Sequence, residues 1–93
     1  MTIALLSIEL HLPSSQSLKD KRMVLRRVKD RMKALNVAVA EVAFTDLWQR
    51  AGLAIVTVAS SDDMAEQTMS AACREIDRLE PDLITHRTVE YLR

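Results

Sequence analysis

Eight of the chain's thirteen Lys and Arg residues fall between Lys19 and Lys33, and this is the chemistry the sequence offers most plainly. Lys19, Lys21, Arg22, Arg26, Arg27, Lys29, Arg31 and Lys33 stand against only Asp20 and Asp30, a local net charge of +6 in a chain whose formal net charge is zero. The remainder, with five bases and eleven acids, carries −6. Clustered positive charge suits phosphate, nucleic acid or another acidic surface. At ~100° per helical residue, Lys19, Arg22, Arg26, Lys29 and Lys33 share an arc of roughly 80°. Lys19, Lys21 and Arg22 would lie in the first turns, where the helix dipole disfavours cations by ~0.3–1 kcal/mol each. A bound anion relieves that conflict, since free N–H groups at a helix start also attract phosphate. The competing reading is a solvated face paired with Asp20, Asp30 and a second, acidic helix. The segment Asp62–Asp82 holds seven acids and two bases, net −5.

Other reactive side chains are thinner on the ground. Glu9, His11 and Glu41, with His86, supply carboxylates and imidazoles that can bind a metal or move protons. No two of them have a tight ligand spacing, so no metal site is expected. Ser14, Ser15 and Ser17 have no visible base, and a turn plus a helix cap explain them. Cys73 has acids around it and only Arg74 as a neighbouring cation, so burial explains it better than reactivity. The segment Pro13–Ser17 lacks glycine and is no phosphate loop. Trp48 and Arg50 form a stacking element for a base or, the reading preferred, a Trp that anchors its loop against a sheet. Without a catalytic motif, the expectation is a protein that is not an enzyme and needs no cofactor.

Six elements must position these groups. Thr2–Leu12 alternates, with Leu6, Ile8, Leu10 and Leu12 on one side and Ser7, Glu9 and His11 on the other, which predicts a strand with one buried face. Pro13 ends it. Ser17 is an N-cap, with Asp20 as an imperfect capping box. From Leu18 the period becomes helical: Leu18, Leu25, Val28, Met32 and Leu35 form one stripe, with Val24 at its margin. Lys21 falls inside that stripe, and its stem is expected to snorkel along the sheet edge. Val37–Phe44 and Leu53–Ala59 read as strands, the latter apolar on both faces and so in want of cover on both. Ser60–Asp63 starts a second helix through Ala65, Met69, Ala72, Ile76 and Leu79, closed by Pro81. Asp82–Tyr91 is a last strand. The order β-α-β-β-α-β with right-handed crossovers predicts the ferredoxin-like plait, an α+β fold whose four-stranded antiparallel sheet carries two helices on one face.

Ninety-three residues suit a single domain, 1–93. One cysteine excludes an internal disulfide and fits a reducing cytosol. The apolar N-terminus lacks a basic stretch and a cleavage site, and no run approaches the ~18 apolar residues of a membrane span, so a cytoplasmic protein without a membrane partner is expected.

Four stretches carry a family likeness: Leu10-His11-Leu12-Pro13, Ser17-Leu18-Lys19-Asp20-Lys21-Arg22, Asn36-Val37 through Ala40-Glu41-Val42, and Asp46-Leu47-Trp48-Gln49-Arg50-Ala51. They resemble the YlxP-like family of small bacterial proteins, over essentially the whole chain, with Ser17–Arg22 the most specific part. Ala38 and Ala43 depart from it, standing where the family often has a small hydroxyl and a polar or acidic residue. The resemblance implies a ferredoxin-like fold and a link to translation, because such proteins are often encoded beside a translation initiation factor and a ribosome-binding factor. It implies no chemistry.

Two functions follow as expectations. The first is an RNA- or ribosome-binding accessory protein whose Lys19, Lys21, Arg22, Arg26, Lys29 and Lys33 contact phosphates. It would not stack bases on its central strands, which contain no aromatic residue. The second is a homodimeric interaction or small-ligand module that packs through an open sheet face carrying Leu5, Val37, Val39, Leu53 and Ile55, alongside Glu9, His11 and Glu41.

Overall fold

Alternation makes β1 (Thr2–His11) a strand with one dry side: Ala4, Leu6, Ile8 and Leu10 are buried, while Ile3, Leu5, Ser7 and Glu9 between them are half-buried. In the computed structural model, which describes residues 1–92, there follow α1 (Leu18–Met32), β2 (Ala38–Ala43), β3 (Arg50–Ala59), α2 (Asp62–Leu79) and β4 (Ile84–Leu92). The strands pair antiparallel in the order β2-β3-β1-β4. With both helices packed on the Leu6 side of the sheet, this is the ferredoxin-like plait.

Local chemistry sets the helix limits. Ser17, in extended backbone, accepts from the Asp20 N–H at 3.0 Å, and the Asp20 carboxylate accepts from the Gln16 N–H at 3.0 Å. Ser61 does the same for α2, accepting from the Met64 N–H at 3.2 Å. α1 buries Leu25, Val28 and Met32, and α2 buries Ala65, Met69, Ala72, Cys73 and Ile76, in one core shared with the sheet. α1 ends at Met32, a turn earlier than the stripe suggests, although Leu35 still packs on the core from the following turn. α1 leans toward β2, while α2 lies against β1 and β3. No described helix is long and apolar enough to cross a membrane.

Register decides which side chains face the helices, and here several expectations are corrected. β3 begins at Arg50, not Leu53, because Arg50, Ala51 and Gly52 pair with His11, Leu10 and Glu9. Leu53 pairs with Ile8 and Ile55 with Leu6, so both lie under the helices, fully buried, and are core residues, not open-face ones. Val39 pairs with Ile55 and shares that side, and Val37 packs on the same core. Glu41, opposite Leu53, also faces the helices. Of the five apolar residues expected on the open face, only Leu5 is there, with Ile3, Val56 and Val58 beside it in register. β3 was expected to need cover on both sides; the helices supply one, and Val58 stays 53% exposed on the other.

The β2–β3 ladder slips at Val42, where Glu41 pairs with Leu53 but Ala43 with Gly52. Gly52 is required at that bulge: a Cβ there would lie 2.7 Å from the Ala43 Cβ.

Candidate nucleic-acid interface

α1 has three flanks, and contacts fix which way each looks. Lys21, Leu25, Val28 and Met32 point into the protein. Arg31 reaches Glu75 of α2 at 3.6 Å, which marks the side of α1 facing the other helix. At ~100° per residue, the arc of Lys19, Arg22, Arg26, Lys29 and Lys33 is centred ~160° away from Arg31. The arc therefore occupies the flank remote from α2, over the free edge of the sheet at β2. All five residues are exposed.

The acidic helix thus does not neutralise the basic one. Arg31–Glu75 is the single ion pair between them among the described residues. Glu75 is shared with Arg78 of its own helix at 2.5 Å, and Lys33 has Asp30 of its own helix at 3.2 Å. Lys19, Arg22, Arg26, Arg27 and Lys29 have no carboxylate within 4.0 Å among the described residues.

Lys21 belongs to a different system. Its side chain is 2% exposed, so it neither snorkels to solvent nor offers itself to an external anion. Its ammonium donates to the carbonyl oxygens of Phe44 at 2.9 Å, Thr45 at 3.3 Å and Arg50 at 3.2 Å. With its three N–H groups so used, the Glu41 Oε2 at 2.8 Å is met as a charge, outside hydrogen-bond alignment, and has no other partner. The conflict between Lys21 and the α1 dipole is thus answered inside the protein.

This cage holds the 44–50 connection against the start of α1. Gln49 strengthens it, donating from Nε2 to the carbonyls of Pro13 at 3.3 Å and Ser15 at 3.1 Å, while the Leu12 N–H donates to the Gln49 carbonyl at 2.9 Å. Phe44 takes a left-handed conformation (φ 59°) at the turn, and the Arg50 guanidinium lies over its ring, 3.8 Å from the centroid. Trp48 does not anchor this loop against the sheet: it is 53% exposed, with Leu47 exposed beside it.

The Glu9, His11, Glu41 set is not brought together. Glu41 lies beneath the sheet with Lys21, whereas Glu9 is on the open face, paired with Arg50 at 3.1 Å. His86 stands across from Glu9 in register and His11 across from Arg50. Among the described residues no three His, Cys, Asp or Glu side chains gather to hold a metal ion. Cys73 is buried in the α2 core stripe. Sequence reasoning missed the Lys21 cage; its one visible trace was a lysine within an apolar stripe.

A family model described as "Protein of unknown function (DUF503)" matches residues 3–88. The chain belongs to this family. It is also 37% identical over 62 residues to the Uncharacterized protein YlxP of Bacillus subtilis (strain 168), covering 66% of this chain and 67% of that one. The YlxP-like resemblance of the sequence is therefore sound. Solved structures share the fold at low identity. The de novo designed protein Foldit4 superposes with a TM-score of 0.57 at 14% identity, covering 99% of this chain and 96% of the other. Protein SP2199 from Streptococcus pneumoniae gives 0.53 at 12% identity, covering 100% and 87%.

Proposed function

We propose that this DUF503 chain is a non-enzymatic RNA-binding accessory protein that holds phosphates on the β2-side flank of α1. The observation that carries this reading is the set of exposed cations, Lys19, Arg22, Arg26 and Lys29, left without carboxylate partners while the acidic helix lies on the other side. The flank runs ~21 Å from Lys19 to Lys33, long enough to follow several successive phosphates. The YlxP-like resemblance makes the ribosome the first setting to test.

About five phosphate contacts correspond to a log–log salt slope near −4.5 on a duplex, so affinity should fall about 100- to 1,000-fold between 50 and 200 mM salt. Fluorescence anisotropy with a labelled structured RNA measures this. An Arg22→Glu, Arg26→Glu variant should bind much more weakly, with a slope reduced by about 2. Unchanged binding in that variant refutes the assignment to α1.

A second reading, compatible with the first because it uses the opposite surface, is self-association through the open sheet face. Ile3, Leu5, Val56 and Val58 lie there together, and no helix covers them. Equilibrium sedimentation that finds only monomer at high protein concentration rules it out.

A further inference from the structure

We infer that Trp48 is a stacking platform for an unpaired base of the RNA whose phosphates lie on α1, an inference that rests on the RNA-binding reading above. A half-exposed tryptophan loses apolar burial to stay in water, and on a slack loop it would fold down onto the nearest apolar surface. Trp48 is held away from that outcome. The residues on both sides of it are fixed: the Lys21 ammonium holds the carbonyls of Phe44, Thr45 and Arg50, the Leu47 N–H donates to the Phe44 carbonyl at 3.0 Å, and Gln49 is tied to Pro13 and Ser15. The ring is thus presented on a braced loop, which lowers the ordering cost of any partner that stacks on it.

The surroundings combine an apolar surface with hydrogen-bonding groups, as the face and edge of a base require. Trp48 borders an open depression of about 490 Å³ whose other lining residues are His11, Asp46, Leu47, Gln49 and Arg50. Its exposed lining is more apolar than polar, which suits the flat face of a base, while His11, Asp46, Gln49 and Arg50 add hydrogen-bonding groups to it. The indole offers a π-face to any base, and Asp46 has no cation within 4.0 Å among the described residues. A carboxylate there repels phosphate but accepts from the exocyclic amine or ring N–H of a base. The chain geometry also joins this depression to the phosphate flank. Lys21, which grips the loop, is followed directly by Arg22, the second cation of the basic arc. His11 and Arg50 belong to the open side of the sheet, so an RNA held along α1 rounds the braced loop to bring one unpaired nucleotide to Trp48. This differs from stacking on the sheet, whose central strands carry no Phe, Tyr or Trp.

Trp48 is the chain's single tryptophan, so its emission reports this site alone. The experiment titrates the full chain with an RNA hairpin carrying a single-stranded loop and with a blunt RNA duplex of equal length, reading anisotropy and intrinsic fluorescence together. The hairpin should quench the indole emission and the duplex should bind without quenching. Trp48→Ala should weaken hairpin binding about 5- to 150-fold, the range for loss of one base–aromatic stack, while leaving duplex affinity unchanged; Trp48→Phe should retain most of it. Thermal melts of both variants check that the fold survives. Hairpin binding with no quenching, and equal in Trp48→Ala, overturns the stacking site but leaves the phosphate flank standing. Absence of binding to both RNAs at 50 mM salt removes the RNA-binding reading itself, and the stacking site with it.

Discussion

Replacing Lys21 by methionine tests the brace on which the 44–50 loop depends. The two side chains have similar volumes, so the cavity contribution is small and the loss is electrostatic. Three carbonyls lose a charged donor, at ~1.5–3 kcal/mol for each such bond taken singly. Thr45 and Arg50 are exposed residues, and water can take over part of that role. Glu41 loses its cation. Its side chain is 21% exposed, so the ~3–5 kcal/mol of breaking a fully buried pair is an upper bound for that term. A net loss of ~3–4 kcal/mol is expected. For a chain of this length, at ~0.05–0.15 kcal/mol per residue, that is about a fifth or more of the total stability. Urea unfolding followed by far-UV circular dichroism should show the midpoint falling by about 2 M for an m-value near 1.5 kcal/mol/M. Adding Glu41→Leu should recover ~1–2 kcal/mol, because no carboxylate is then stranded. A loss below ~1 kcal/mol in Lys21→Met, or a double variant as unstable as the sum of its parts, would refute the cage as a stabilising unit.

Salt gives a sign test of the charge division. The α1 flank repels itself and has one ion pair to α2, so raising sodium chloride to about 1 M, where the Debye length is ~3 Å, should leave the melting temperature unchanged or raise it; a marked fall would mean that attraction between the helices holds the fold after all. Gly52→Ala should cost ~1–3 kcal/mol in chemical denaturation through its collision with Ala43, and Ala43→Gly in the same chain should restore much of that; two variants without interaction would contradict the bulge geometry. Ile55→Ala should lower stability by ~2–5 kcal/mol and leave the sedimentation coefficient of the folded protein unchanged, as befits a core residue; a change in association with stability intact would return Ile55 to an interface.

How far the sequence was legible follows from which signals have a direction. The change from period two in Thr2–Leu12 to helical period after Leu18, with Ser17 and Ser61 as caps, marks element type and start without reference to the rest of the chain. The face of a strand is a relative property. Val37–Phe44 and Leu53–Ala59 are apolar on both sides, and alanine at 38, 40 and 54 marks neither. Nothing local therefore says whether Ile55 or Val56 looks toward the helices; pairing with β1 decides it. The one-residue bulge at Val42 is likewise silent in sequence. Arg50–Gly52 resembled a loop because alanine and glycine are weak strand formers, yet its pairing with β1 fixes it in the sheet. The basic arc could be drawn on a helical wheel from the sequence. Its freedom from α2 could not, since that depends on the side from which Glu75 approaches. Lys21 shows the opposite limit: one charge counted among the phosphate contacts is spent inside, and only the fold reveals its partners.

The position of the arc has a consequence for how this molecule keeps to itself. β2 ends the sheet, and half of its backbone donors and acceptors face outward, the kind of border to which a second β2 can add and from which stacked aggregates grow. Here the border runs below a row of lysines and arginines. Two copies approaching strand to strand would bring both rows together at close range, so the same cations that await a polyanion also act as guards against runaway sheet extension. Binding an acidic polymer would lift that guard, and the protein should then be most prone to cluster not when it is alone but when several copies share one strand of RNA.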